Sequence, residues 1–226
     1  MILNATALVN SLNFAKQSGL RAANAYFEYY AALSLMRGVI FMIPNQEWNS
    51  GELMAISHTR SINLVSDWLS KFDKEEAAKL KEFMLLLKAQ RELIAYKAPA
   101  SAEQNLRANY DLLRTLTLLA ELAEFNSEIL EISVTKNASP STFAVLDEHI
   151  HQVATIEIEG HVFSDDEDYH RFGYVQRKTK RPYHLALFMH QGQSEDFMGA
   201  WDGDEDKGEP FSNGSPSNWQ SIFEVP

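Results

Sequence analysis

From Gly19 to Pro44 the chain places only three charged residues, Arg21, Glu28 and Arg37, among apolar and aromatic side chains. Phe27, Tyr30, Ala31, Leu35 and Phe41 recur at spacings that predict one long helix over 19–43, and Pro44, with no amide hydrogen to donate, ends it. A helix that is apolar on more than one side must be surrounded by others, so this stretch predicts the middle of a bundle. Arg37 and Pro44 leave its apolar tract too short to span a bilayer, and no membrane segment is expected in the chain.

The surrounding helices follow in sequence. Leu53, Ile56, Leu64, Val65, Trp68 and Leu69 predict a second helix over 52–72. Asp73 with Glu76 has the form of a capping box and opens a third, carrying Leu80, Phe83, Met84 and Leu87 on one stripe to Tyr96. Ser101 with Gln104 repeats that pattern before a leucine-rich fourth helix through 126. Residues 4–15 are a weaker helical stretch, interrupted by Asn4, Asn10 and Asn13. Short connections between four helices make an antiparallel four-helix bundle over 1–128 the economical solution.

Beyond 128 the period changes to two. Leu130, Ile132 and Val134 alternate with polar residues, as do Ile156, Ile158 and Val162, Phe172 and Tyr174, and the run Tyr183–Met189. This predicts an α+β chain whose second part, 129–226, is a small antiparallel β module with an irregular tail. Arg177–Pro182 would turn one strand into the next. The charge follows the same division: 14 Lys+Arg stand against 15 Asp+Glu in 1–136, a net of −1, and 6 against 16 in 137–226, a net of −10. An acidic surface repels phosphate backbones, so nucleic acid is expected at the helical part or at the local basic run. The absence of cysteine removes disulfides, thiolate zinc sites and a cysteine nucleophile, and favours an intracellular, cytoplasmic protein.

One residue breaks the apolar pattern of the third helix. Arg91 falls on the stripe of Leu80, Phe83, Met84, Leu87 and Ile94, and an unpaired guanidinium there would cost several kcal/mol to desolvate. It therefore meets a carboxylate, a partner subunit or a polar ligand cleft, or else its stem snorkels the head to water. Glu28, the lone acid of the central helix, is the leading partner, and Arg21 could complete a charged triad. His58 shares a helical face with Ile62 and Val65, either as a core histidine or as part of a polar cluster with Arg91.

The helical part resembles the HEPN superfamily through YFEYYAALSLMRGVIF from Tyr26, SHTRSINLV from Ser57 and LLLKAQRELIAY ending at Tyr96. The resemblance covers about residues 18–126 and implies a helical bundle that pairs into a homodimer and meets RNA or a ribonucleoprotein in a toxin or antiviral defence system. It implies Arg91, Tyr96 and His58 as the catalytic positions, to which Glu28 is added as the expected partner of Arg91. HEPN ribonucleases follow the arginine by a histidine four to six residues later; here Tyr96 stands at that spacing, and Ala95 replaces the acid common in one branch. A phenol of pKa about 10 is a poor proton acceptor at pH 7, so the implied site is degenerate. On a straight helix Arg91 and Tyr96 also point about 140 degrees apart.

Other patterns carry less. Arg177, Lys178, Lys180 and Arg181, near Phe172 and Tyr174, could form a basic aromatic hairpin for RNA. His149 and His151 on a strand would share one face, yet Glu157 and Gly160 do not complete a metal motif. Asp202–Asp206 fails the calcium-loop pattern, with Lys207 where glycine and Asn213 where glutamate would be needed. No cofactor and no metal is expected. The alternative to RNA is a non-catalytic module that dimerises through its helices and binds a protein partner through the acidic part.

Overall fold

A computed structural model describes residues 1–44, 46, 55–97, 111–137, 146–166, 169, 170, 173, 176 and 177. They are mostly helical: α1 (Ile2–Gln17), α2 (Arg21–Phe41), α3 (His58–Leu69), α4 (Lys74–Lys97), α5 (Leu112–Asn137), α6 (Asp147–Ala154), then strands β1 (Thr155–Ile158) and β2 (His161–Ser164). Two compact units divide between Asn126 and Ser127, inside α5. Among the described residues no helix is long and apolar enough to cross a membrane.

In the first unit α2 occupies the middle, packed against α1, α3 and α4. Its Tyr29, Ala31, Ala32, Met36, Val39 and Ile40 are all fully buried, as a helix apolar on several sides requires. The stretch 4–15 proves to lie within a full helix, α1, because Ala5, Val9, Leu12 and Ala15 form a buried stripe. Asn4 does not interrupt it: its amide donates to Ser34 Oγ on α2 at 3.0 Å. Gly19, at φ +70°, turns α1 into α2 while the Leu20 amide bonds Ala15 oxygen at 2.8 Å.

α3 is shorter than 52–72. Ser57 has extended ψ and its hydroxyl accepts the Arg60 amide, so the helix starts at His58. Half of the capping box at Asp73 is present: its Oδ1 accepts the Glu75 and Glu76 amides at 2.9 and 3.0 Å. Glu76 turns instead to Lys79 and Arg114. The box at Ser101 lies outside the described residues; α5 begins at Leu112, with Asp111 Oδ1 accepting the Arg114 amide.

α5 corrects the strand expected at Leu130–Val134. No glycine or proline interrupts 112–137, and Leu116, Leu119, Leu122, Ala123 and Asn126 are buried at helical spacing, so the helix propagates through the short alternating run to Asn137. Asn126 Oδ1 accepts Trp68 Nε1 at 3.1 Å, joining α5 to α3 inside the first unit.

Among the described residues of the second unit, β1 pairs antiparallel with β2 in the register Ile158↔His161 to Thr155↔Ser164. Glu159 and Gly160 both have positive φ, the two-residue turn whose twist suits paired strands. Two further strand expectations fail. His149 and His151 belong to α6, so the strand that the paired-histidine reading required is not formed there. Gly173, Gln176 and Arg177 are helical, so Arg177 does not enter a hairpin turn. Lys178, Lys180, Arg181, the run 183–189 and the acidic tail lie outside the described residues.

Candidate functional site

The site grows from three helices of the first unit. α2 contributes Tyr29 and Tyr30, α3 contributes His58 at its first position, and α4 contributes Lys88, Arg91 and Glu92. Tyr29 and Tyr30 meet edge to face, with centroids 5.3 Å apart and planes at 71°. Arg91 lies over both: its Cζ is 5.0 Å from the Tyr29 ring centre and 5.9 Å from that of Tyr30. Its Nη1 donates to Tyr30 Oη at 3.1 Å and its Nη2 to Glu92 Oε1 at 3.2 Å.

His58 closes the other side. Its Nδ1 is 2.9 Å from Tyr29 Oη, and its ring is 6.3 Å from Tyr30 at 88°. Burial, only partly opposed by Arg91, pushes the Tyr29 phenol up to about 12. Tyr29 therefore keeps its proton at neutral pH and donates it to Nδ1, which assigns the neutral ring's own proton to Nε2. Burial first, then the positive charges of Arg91, Arg37 and Lys88, hold the His58 pKa below its ordinary value, against a smaller pull from Glu92. Lys88 Nζ donates to Thr59 Oγ1 at 3.1 Å and stands 3.9 Å from Glu92.

The structure thus brings His58 and Arg91 together, linked through the two tyrosines. It separates the other expected members. Glu28 pairs with Lys16 at 3.3 Å, because the Gly19 turn lays the end of α1 beside the start of α2. Arg91 finds its carboxylate on the next residue. Tyr96 is 78 % exposed and has no hydrogen bond or ring contact with Arg91 among the described residues. Lys88, Glu92 and Arg37 were missed from the sequence. Their signal was local: Lys88 and Glu92 flank Arg91 on one helix, and Arg37 follows Tyr30 by two turns.

Chemically, this is a fixed guanidinium beside a neutral imidazole, with two hydroxyls and further cations. The described residues contain no group of three or more His, Cys, Asp or Glu side chains able to hold a metal. In the second unit His151 Nε2 meets Tyr169 Oη at 2.8 Å, a separate pair of helical residues. Comparison with protein families, curated proteins and solved structures finds no match to this chain.

The depressed His58 pKa predicts an acid-side loss of stability. Its unfolded value is 6.5 and its folded value lies lower, so the unfolded state binds the extra proton first as pH falls. The contribution is complete above 6.5, is lost as pH falls from there to the folded value, and is level below it. Urea midpoints measured from neutral to acidic pH should show this slope, and His58→Gln should flatten it. An identical slope in that variant would remove His58 as its source.

Proposed function

We propose that the chain is a HEPN-like protein that acts on or with RNA or a ribonucleoprotein in a toxin or defence system, pairing as a homodimer through its helices. Its degenerate site is the cluster of Tyr29, Tyr30, His58 and Arg91. One observation carries this reading: Arg91 is held by Tyr30 and Glu92 over two tyrosine rings, beside an imidazole kept neutral by its surroundings. A guanidinium in that position suits the charge on a phosphate.

Cleavage by attack of a 2′-hydroxyl needs a group to take a proton and a group to give one. Neutral His58 is a weak proton donor, its Nδ1 is engaged by Tyr29, and Tyr96 stands away from the cluster. Retention of RNA with little or no cleavage is therefore the expected behaviour. The purified full chain should bind a mixed single-stranded RNA pool with an affinity that falls as salt rises, and Arg91→Met should weaken it by about tenfold or more. Robust cleavage that vanishes in Arg91→Met would make the site catalytic. No retention of RNA by the folded protein would favour the protein-binding module instead.

A further inference from the structure

The two nitrogens of the His58 ring have different surroundings. Nδ1 is 2.9 Å from Tyr29 Oη, and Tyr29 is fully buried. Were Nδ1 to carry the proton and donate it, the Tyr29 hydroxyl would keep a buried proton with no acceptor among the described residues, whereas donation from Tyr29 satisfies both atoms with one bond. A phenol of ordinary pKa about 10 has that proton to give at neutral pH. Nε2 lies across the ring, away from this bond. It has no hydrogen-bond partner among the described residues and is not among the buried polar atoms that lack one. The half-buried ring packs against both tyrosines, with centroids 5.6 Å from Tyr29 and 6.3 Å from Tyr30 and planes at 48° and 88°.

A proton on Nε2 makes the far edge of His58 a hydrogen-bond donor, and a neutral one above the ordinary histidine pKa of about 6.5. Arg91, on α4, lies over the same two tyrosine rings and is a donor as well. Two donors set against one pair of rings call for a ligand that presents acceptors, and non-bridging phosphate oxygens are the acceptors found at every step of an RNA strand. We propose that His58 binds RNA as a neutral donor, its Nε2–H fixed in place by the Tyr29 hydrogen bond and directed at a phosphate oxygen of the backbone. Tyr29 is then a positioning residue: it touches no RNA and selects the tautomer that does. This deepens the RNA reading and rests on it. It also separates His58 from Arg91 in kind. A neutral donor displaces no counterion, so its loss weakens binding without changing the salt dependence, whereas loss of the guanidinium lowers the salt slope by about one.

The test begins with nitrogen nuclear magnetic resonance of the unaltered full chain at slightly alkaline pH, which reads the tautomer directly. Nε2 should carry the proton and Nδ1 should not, and Tyr29→Phe should let both tautomers appear. A proton on Nδ1 in the unaltered protein overturns the proposal and leaves the RNA reading standing. Binding to oligouridylate and oligoadenylate follows. His58→Asn keeps an acceptor near Tyr29 but has no far donor, and should weaken both strands by about fivefold at an unchanged salt slope. His58→Gln, whose amide reaches the Nε2 position, should retain most of the affinity. Equal affinity in the two variants, a reduced slope in His58→Asn, or weakening confined to one of the two strands overturns the proposal. Failure of the unaltered protein to bind either strand overturns the proposal and the RNA reading together. The tautomer is read in the unaltered protein, so the proposal stays open to refutation even where a variant fails to fold.

Discussion

Tyr29→Ala is expected to destabilise the protein by roughly 3–5 kcal/mol, the cost of truncating a fully buried aromatic side chain in a packed interior. The ring touches three others in the cluster. It meets Tyr30 at 5.3 Å and His58 at 5.6 Å, and Arg91 lies over it. Removing it opens a cavity between α2, α3 and α4 that these partners cannot fill without leaving their own contacts. Tyr29→Phe keeps the ring and deletes only the donor to His58 Nδ1, so its cost should be about 0.5–1.5 kcal/mol. It should also make His58 easier to protonate, because Nδ1 no longer accepts a hydrogen bond that favours the neutral ring. Urea unfolding of both variants separates the two contributions. Equal losses would mean that the hydroxyl, rather than the packing, is what the bundle requires of Tyr29.

The central position of α2 was legible because apolarity on several sides of a helix admits few solutions. The chain after 128 was not, and the reason is specific. Leu130, Ile132 and Val134 satisfy a period of two, but over five residues that pattern also fits a helix already running without a breaker from Leu112. Phe172 and Tyr174 lie outside the described residues, and of their neighbours Gly173, Gln176 and Arg177 are helical. By contrast, the Glu159–Gly160 turn gave Ile156, Ile158 and Val162 the tight reversal that a hairpin needs. The site was partly legible. That Arg91 needed partners followed from its place on an apolar stripe, and His58 was a fair neighbour. Which acid it meets depends on how α1 turns into α2, and that geometry gave Glu28 to Lys16.

Arg91→Ala is expected to cost roughly 2–4 kcal/mol, and its pattern of coupling matters more than its size. A hydrogen bond from a charged donor contributes about 1.5–3 kcal/mol, and a cation over an aromatic face about 0.5–2. Glu92 adds little, because its side chain is 42 % exposed and pairs of that kind are worth at most about 1 kcal/mol. The same exposure limits the total: losing Arg91 leaves Glu92 in water and near Lys88, rather than as a stranded buried charge. A double-mutant cycle with Tyr30→Phe should therefore show coupling of about 1 kcal/mol. One with Glu28→Gln should be additive within about 0.5 kcal/mol, since Glu28 pairs with Lys16. Arg91 is also the largest charge holding the His58 pKa down, second only to burial, so nuclear magnetic resonance titration of Arg91→Ala should find that pKa moved up toward 6.5. Strong coupling to Glu28 with an unmoved histidine would place the guanidinium against α2's acid and away from the tyrosines, and the proposed RNA site would lose its centre.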